Sequence, residues 1–225
     1  MSNRVARKSA PLPAPLPPAT RTVGQLVAET IKLYGRRFWV SLGLGIPVAA
    51  VNLLAVELAP AWRLLVIPLV TGLVFGPVLV AASAIALGQR PGAGLRTALI
   101  AGFLVFAPFP LLVSVFVLPG LAWLALLGLA VPVAVAERLP LRASFARALA
   151  LGRADFVHAL GSLATLAITV FLTQSMLFFL LRAQGEQAAR GAGFLAGVVV
   201  SPLLFLGFAL LYLDQAARVR SSPAT

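Results

Sequence analysis

Residues 97–136 read TALIAGFLVFAPFPLLVSVFVLPGLAWLALLGLAVPVAVA, and no charged side chain occurs between Arg96 and Glu137. A helix that crosses the ~30 Å of membrane hydrocarbon needs about 20 predominantly apolar residues. The stretch therefore has room for two crossings. The Pro119-Gly120 step is a turn signal, and we expect it to separate two membrane-spanning helices.

The composition of the whole chain agrees with a membrane location. Hydrophobic residues make up 60% of the 225 residues and charged residues only 11%, whereas a soluble domain carries about 25% charged residues. Helices and closed β-barrels are the structures that satisfy the backbone inside lipid. A barrel needs alternating polar and apolar residues, and the long Leu, Ala and Val runs do not alternate. We therefore predict an all-α, polytopic membrane protein.

Six segments are apolar and long enough to cross the membrane, and they predict a six-helix bundle. The predicted spans are residues 38–56, 64–87, 98–117, 121–136, 156–181 and 193–213. They form a membrane domain of residues 22–215. Residues 1–21 are basic and then proline-rich, which predicts a disordered cytoplasmic tail because proline blocks helix propagation. Residues 216–225 are predicted to be a second cytoplasmic tail.

The segment before the first span has the pattern of an amphipathic helix over residues 22–37. Thr22 and Gln25 have the spacing of a capping box. Apolar residues recur at helical spacing, and the charged residues lie elsewhere on the helical wheel. A helix of this kind lies in the membrane interface, and we expect it to lead into the first span.

Basic residues are distributed unequally between the two sides that six spans create. All of the 18 Lys and Arg residues fall on the side of the N-terminus except Arg63, Arg182 and Arg190. Loops rich in Lys and Arg stay in the cytoplasm. The sequence therefore predicts a multipass protein of the cell inner (plasma) membrane with both termini in the cytoplasm.

The formal net charge of +12 admits two kinds of partner, nucleic acid and anionic lipid. Proteins that bind single-stranded nucleic acid combine a basic groove with aromatic side chains, and no basic stretch here is interleaved with aromatics. Basic loops of a membrane protein meet anionic headgroups at the cytoplasmic face. We therefore expect membrane lipids as partners and no nucleic acid, and we leave open a second membrane protein.

The sequence carries little that indicates catalysis. It has no cysteine and lacks the HExxH, GxSxG and GxxxxGK[ST] motifs. The sole histidine, His158, follows Asp155 by three residues, and no second metal ligand is evident at its depth. We therefore expect a protein that is not an enzyme and holds neither a metal nor a cofactor, with His158 in a structural or interfacial role.

Two features inside the spans are candidates for lining a cavity. Pro108 and Pro110 interrupt the third span, because proline removes a backbone donor and can kink a helix. The break is either a static bend or a discontinuous helix of the transporter kind. Gln174 lies in the middle of the fifth span, where its amide needs a hydrogen-bond partner. It either lines a cavity or clamps two helices together.

Two glycine pairs have the small-xxx-small spacing that allows helices to approach closely. They are Gly72 with Gly76 in the second span and Gly193 with Gly197 in the sixth span. Pairs of this kind pack one helix on another within a bundle or join two copies of a protein. We expect the first of these roles here.

A basic segment follows the fourth span. Its arginines flank an apolar stripe at helical spacing, which predicts a second interfacial helix whose guanidinium groups meet lipid phosphates. Two alternatives stay open: a gating or partner-docking cluster, and a loop that only fixes the topology and braces the bundle. The candidate contacts for lipid or a partner are Glu137, Arg138, Arg142, Arg147 and Arg153.

The same region carries a family resemblance. Residues 132–137 have the form P-x-x-x-x-E at a span end, an amphipathic segment with Ser144 follows, and residues 22–26 read TVGQL before an aromatic first span. The chain resembles the multipass membrane domain fused to some glycerophosphodiester phosphodiesterases, and its stand-alone relatives. Ala148 stands where that pattern usually has serine. The resemblance implies a six-helix bundle of undefined molecular role without the hydrolase, because no soluble segment here is long enough for one.

Two functional hypotheses follow. The first is a non-enzymatic scaffold, accessory or envelope-homeostasis protein that acts through lipid or protein contacts. The second is a small transporter or permease, which the kinked third span and Gln174 motivate. A polar cavity that reaches Gln174 between the third and fifth spans would favour transport.

Overall fold

The computed structural model describes residues 17–90 and 92–221, so most of the predicted tail of residues 1–21 lies outside the described residues. Every regular element within these ranges is helical, and no strand occurs there. The α-helices are α1 (Val23–Arg36), α2 (Phe38–Glu57), α3 (Pro60–Leu87), α4 (Leu95–Phe106), α5 (Phe109–Val115), α6 (Val117–Trp123), α7 (Ala130–Glu137), α8 (Leu141–Ala154), α9 (Phe156–Leu181) and α10 (Glu186–Ser221).

Six helical segments of the described chain are long and apolar enough to cross a membrane. Four of them are the single helices α2, α3, α9 and α10. The other two are composite: Gly92–Val115 joins α4 to α5, and Val117–Glu137 joins α6 to α7 through a π-helical turn at Leu124–Gly128. The predicted all-α fold with six candidate membrane spans is confirmed.

α10 is longer than the predicted sixth span. It begins at Glu186 and continues to Ser221, so residues 216–221 of the predicted tail are helical. Asp214 and Gln215 are buried, because α1, α8 and α9 pack against α10. The apolar run in the sequence stops at Leu213, and hydropathy therefore marks the end of the apolar part of the helix rather than the end of the helix.

α10 lies at the centre of the bundle. α1, α2, α3, α8 and α9 all pack against it, and large side chains such as Leu206, Phe208 and Leu211 are fully or almost fully buried. α9 differs, because much of its apolar surface is exposed, including Phe171 and Met176. An exposed apolar surface of this extent is rare on proteins that face water, and it is suited to contact with lipid.

Three phenylalanine rings mark a common depth in the bundle. The ring of Phe205 in α10 contacts those of Phe75 in α3 and Phe106 in α4, with centroids 5.5 and 6.0 Å apart. A helix rises ~1.5 Å per residue, so α10 extends about 28 Å from this depth to its N-terminus at Glu186, whereas the third span extends only about 14 Å to Val115. The turn between α5 and α6 therefore ends well short of the N-terminus of α10.

The side chains of that turn are apolar and exposed. Val115 is 83% exposed, and the next residue, Phe116, has an extended backbone that separates α5 from α6. The α2–α3 and α9–α10 turns differ, because charged residues lie in or beside them: Arg63 is in the first turn of α3, and Arg182 follows α9. Apolar surface is more stable out of water, so the composition of the turn favours hydrocarbon around it. The exposed side chains are Val115, Phe116, Val117 and Leu118.

The third span is broken where its prolines predicted a kink. α4 ends at Phe106 and α5 begins at Phe109. Pro108 is the N-cap residue of α5, and Pro110 lies in its first turn. Proline fits the first turn of a helix because the backbone N–H that it lacks would have no partner there. The two prolines therefore mark a junction between two helices.

α1 begins with the predicted capping box. The Oγ1 atom of Thr22 accepts a hydrogen bond from the backbone N–H of Gln25, and the Gln25 side chain accepts one from the backbone N–H of Thr22. Leu26 and Thr30 are buried, and Oη of Tyr34 donates to the carbonyl oxygen of Val199 at 2.9 Å. α1 therefore lies along α10 and packs against it. The position of α1 at a membrane interface stays a prediction.

α8 packs against α7 and the π-helical turn through small side chains. A Cβ atom at Gly152 would lie 2.6 Å from the carbonyl oxygen of Ala125, so only glycine fits at this contact. We call the end of the bundle that contains α8, the N-terminus of α1 and the C-terminus of α10 the basic end. The other end, which contains the α2–α3 and α9–α10 turns, is the opposite end.

Candidate functional site

Ion pairs at the basic end connect the first and last parts of the described chain. The guanidinium of Arg21 donates to Oδ1 of Asp214 at 2.6 Å, and that of Arg218 donates to Oδ2 of Asp155 at 2.8 Å. Arg218 also donates to the backbone carbonyl oxygen of Arg21 at 2.6 Å. We call this network the terminal cluster, and its members are Arg21, Asp155, His158, Asp214, Gln215 and Arg218.

The terminal cluster is largely buried. The Asp214 side chain is fully buried, and that of Arg21 is 12% exposed. Gln215 donates to the backbone carbonyl oxygen of Asp155 at 3.1 Å, and Nε2 of His158 lies 3.9 Å from Oδ2 of Asp214. The cluster therefore fixes the segment before α1 and the N-terminus of α9 against the end of α10.

The terminal cluster has capacity for further hydrogen bonds. Some of its buried atoms have no partner within the described residues, and both donors and acceptors occur among them. An unsatisfied buried polar group costs about 1–3 kcal/mol, so the cluster depends on its ion pairs to remain favourable. The atoms are Nε2 of His158, Oδ2 of Asp214, Oε1 of Gln215 and Nε of Arg218.

Local sequence patterns indicate only parts of the terminal cluster, and not the contact that joins its two ends. One signal was present: Asp214 and Arg218 are four residues apart, which places them on one face of a helix. Asp155 is also a preferred N-cap residue, and its side chain does accept a hydrogen bond from the backbone N–H of His158. The decisive partner, Arg21, stands 193 residues before Asp214, and only the folded bundle reveals that contact.

Glu137, the last residue of α7, forms a second contact group at the basic end. Its carboxylate accepts a hydrogen bond from Oη of Tyr212 at 3.0 Å and lies 3.4 Å from Nε of Arg147. Arg147 is thus the predicted arginine that the structure brings to Glu137. Tyr212 was not predicted, because it stands 75 residues later in the chain.

The other predicted arginines of this region lie on the surface. Arg138 ends α7 in the left-handed conformation, with φ at 55°. Its side chain is exposed, as are those of Arg142 and Arg153. None of the three pairs with a carboxylate within the described residues. These guanidinium groups are therefore available to a ligand outside the protein.

All six carboxylate side chains of the chain take part in ion pairs. The hydrogen bond from Lys32 lowers the pKa of Glu29, which keeps that carboxylate ionised. The basic end still presents positive charge that the described part of the chain does not neutralise. Its exposed arginines without a carboxylate partner among the described residues include Arg36, Arg90, Arg96, Arg138, Arg142, Arg153 and Arg220.

Gln174 lies at the opposite end, where it lines a cavity of about 440 Å³. The residues that form this cavity belong to α2, α9 and α10, and they include Asn52 and Ser175. At its rim, Arg190 pairs with Glu57 and Glu186, at 2.6 and 2.7 Å. The cavity therefore lies among the first, fifth and sixth spans.

Pro108 and Pro110 were also predicted to line a cavity, and they lie elsewhere. Both stand at the start of α5, which packs against α3, α4 and α6. The cavity that contains Gln174 takes none of its lining from these helices. The structure therefore does not bring the two prolines together with Gln174.

The glycine pairs divide between two roles. A Cβ atom at Gly76 would lie 3.0 Å from the backbone of Gly102, and one at Gly72 would lie 2.8 Å from the ring of Phe103, so this pair packs α3 on α4 as predicted. Gly197 packs against α2. Gly193 differs from the prediction, because nothing lies within 4 Å of the position of its Cβ, and it lines the cavity.

Comparisons with protein families, with characterised proteins and with solved structures find no match to this chain. The resemblance to the membrane domain of some glycerophosphodiester phosphodiesterases therefore rests on the quoted motifs alone and stays a prediction.

Proposed function

We propose that this chain is a non-enzymatic membrane scaffold or accessory protein whose basic end associates with anionic lipid headgroups. The observation that carries the proposal is the distribution of charge. Every carboxylate is used in an ion pair, while exposed arginines at the basic end, among them Arg138, Arg142 and Arg153, have no carboxylate partner within the described residues. Phosphate groups of lipids supply the missing counter-charge.

The chemistry of arginine supports this choice of ligand. A guanidinium forms two parallel hydrogen bonds with a phosphate group, and such charge-assisted bonds are stronger than neutral ones. Each Lys or Arg near an anionic leaflet contributes roughly 1 kcal/mol. The arrangement suits a protein that holds its basic end against the charged surface of the membrane, and it needs no nucleophile or cofactor.

We expect the triple variant R138Q/R142Q/R153Q to lose much of its preference for anionic lipid. The loss has an upper limit of about 100-fold, since three arginines contribute roughly 1 kcal/mol each. The measurement is the association of spin-labelled phosphatidylglycerol, relative to spin-labelled phosphatidylcholine, with the full-length protein in vesicles. Added salt should reduce the preference of the wild-type protein, because exposed charges are screened.

The control is R63Q/R182Q/R190Q, which removes the same charge from the opposite end. Arg63 and Arg182 pair with no carboxylate within the described residues, as is true of the three arginines of the basic end, whereas Arg190 pairs with Glu57 and Glu186. We expect this control variant to retain the preference for phosphatidylglycerol. An equal loss in both triple variants would show that the lipid responds only to total charge, and that result would overturn the proposal for the basic end. Arg147→Gln provides a further comparison, because Arg147 pairs with Glu137 and should contribute less to lipid binding.

The proposed location is the inner membrane, with the basic end in the cytoplasm, because loops rich in Arg and Lys stay on that side. Since the chain has no cysteine, single cysteines can test this. In intact cells a membrane-impermeant maleimide should label Ala183→Cys in the α9–α10 turn. It should label Arg90→Cys at the basic end only after the membrane is permeabilised.

A third cysteine tests the depth of the α5–α6 turn. Phe116→Cys should remain unlabelled in intact and in permeabilised cells, because the turn exposes only apolar side chains. Labelling in detergent-denatured protein is the control for reactivity. External labelling of Arg90→Cys would reverse the orientation, and labelling of Phe116→Cys as strong as that of Ala183→Cys would place the turn in water.

The transport hypothesis receives less support from the geometry. It was motivated by the broken third span and Gln174 together, and these features occupy different parts of the bundle. Transport by this protein stays a prediction.

A further inference from the structure

The cavity around Gln174 is open between two helices that face lipid. α2 and α9 each pack against α10, but they scarcely touch each other. The space between them forms the cavity, and α10 forms its floor. Its volume of about 440 Å³ falls within the roughly 300–1,000 Å³ that is usual for small-molecule sites.

The wall of this cavity is apolar along most of its length. Phe171, Phe178, Phe179 and Phe194 line it, and the first three of these also have exposed rings. The site is therefore continuous with the lipid-facing surface of α9. The floor is open at Gly193, which has no atom within 4 Å of its Cβ position. An extended hydrocarbon chain fits a groove of this kind.

The rim of the cavity carries charges of both signs. Arg190 joins Glu57 and Glu186 through one oxygen of each carboxylate, which leaves the second oxygen of each free to accept. Arg182 lies 4.8 Å from the centre of the Phe179 ring and pairs with no carboxylate in the described part of the chain. The rim therefore offers a guanidinium for a phosphate group and carboxylate oxygens for an ammonium group.

We propose that this cavity, which we call the lateral groove, binds a phospholipid with a zwitterionic headgroup. An acyl chain lies against the phenylalanines, and the Gln174 amide donates to an ester carbonyl of the lipid. The headgroup phosphate meets Arg182, and the ammonium meets Glu57 and Glu186. The site is separate from the anionic-lipid surface of the basic end, because it lies at the opposite end and selects a different headgroup.

The test uses the full-length protein in vesicles that contain phosphatidylethanolamine with a photoactivatable diazirine in one acyl chain. After illumination and proteolysis, mass spectrometry locates the attached lipid. Label should concentrate on the groove segments of α9 and α10 and exceed the label on the N-terminal half of α3. That half of α3 is the internal reference, because its Leu64, Leu65 and Leu69 are equally open to lipid.

Gly193→Leu and Gly191→Leu form a matched pair of variants. Neither glycine has an atom within 4 Å of its Cβ position, and the two lie in the same helix, but only Gly193 lines the lateral groove. A leucine at Gly193 fills the space for the chain and should lower groove labelling about tenfold or more. Gly191→Leu should label as wild type does, and unchanged labelling of α3 shows that both variants remain inserted.

The headgroup is tested with phosphatidylglycerol that carries the same acyl chains. We expect several-fold stronger groove labelling from phosphatidylethanolamine, and loss of that preference in E57Q/E186Q. Equal groove labelling of Gly193→Leu and Gly191→Leu, or groove labelling no higher than that of α3, would overturn the site. Equal labelling by both lipids would overturn the zwitterionic assignment. Neither result bears on Arg138, Arg142 and Arg153, which lie at the basic end and outside the lateral groove.

Discussion

Asp214→Asn is expected to lower the free energy of unfolding by about 3 to 5 kcal/mol, which is the usual cost of removing one partner from a buried ion pair. The asparagine keeps the shape of the side chain but removes its charge. Arg21, whose side chain is 12% exposed, would then remain almost buried without a counter-charge. The measurement is an SDS titration of the purified protein in mixed micelles.

Two controls separate this effect from a general sensitivity of α10. Glu186→Gln removes a carboxylate from the same helix, but its side chain is 80% exposed, and exposed pairs contribute only about 0.2–1 kcal/mol. The double variant R21M/D214L replaces the charged pair by apolar side chains and should be more stable than Asp214→Asn. If Asp214→Asn were as mild as Glu186→Gln, the terminal cluster would not stabilise the bundle.

Gly45→Ala is expected to destabilise the protein by about 3 kcal/mol, at the upper end of what overpacking usually costs. A Cβ atom at Gly45 would overlap the carbonyl oxygen of Val198 in α10. That oxygen belongs to the backbone, so no side-chain rotation can relieve the clash, and α2 must move away from α10. The same SDS titration measures the loss.

Gly43→Ala is the matched control, because Gly43 lies two residues earlier in α2 and has no atom within 4 Å of its Cβ position. Alanine is a better helix former than glycine by up to about 1 kcal/mol, so this variant should be neutral or slightly more stable. Equal destabilisation by the two substitutions would indicate that α2 needs glycine flexibility rather than close contact with α10.

The spans were predictable because the signal that defines them is local. A run of apolar residues decides where a helix enters lipid, and the break at Pro108 follows from the covalent structure of proline. The capping box of Thr22 and Gln25 is local in the same way, since its partners are three residues apart. Such features depend on neighbours in sequence, and the proline break and the capping box lie at the predicted positions. The turn between the third and fourth spans does not: it lies at Phe116, and the Pro119-Gly120 step that was expected to form it is inside α6, because Pro119 fits the first turn of a helix.

The contacts between helices were harder to predict from the sequence. Ser41, Gly45 and Ala49 are small residues at every fourth position, a pattern that indicates a packing face, but it does not name α10 as the partner. Tyr212 beside Glu137 and Arg21 beside Asp214 join residues that are far apart in sequence. The lateral groove was signalled only by Gln174, because a gap between two helices has no sequence pattern of its own.

The central position of α10 has a consequence for how the protein is made. Ribosomes synthesise a chain from its N-terminus, so the helix that most of the others pack against enters the membrane after the five candidate spans that precede it. Before α10 is inserted, Arg21 lacks its ion-pair partner Asp214, and Gly45 lacks the backbone of α10 that it packs against. Domains whose contacts join distant segments assemble late and expose incomplete surfaces meanwhile. A frameshift just before α10 would leave five of the six candidate spans but remove the helix that the others pack against.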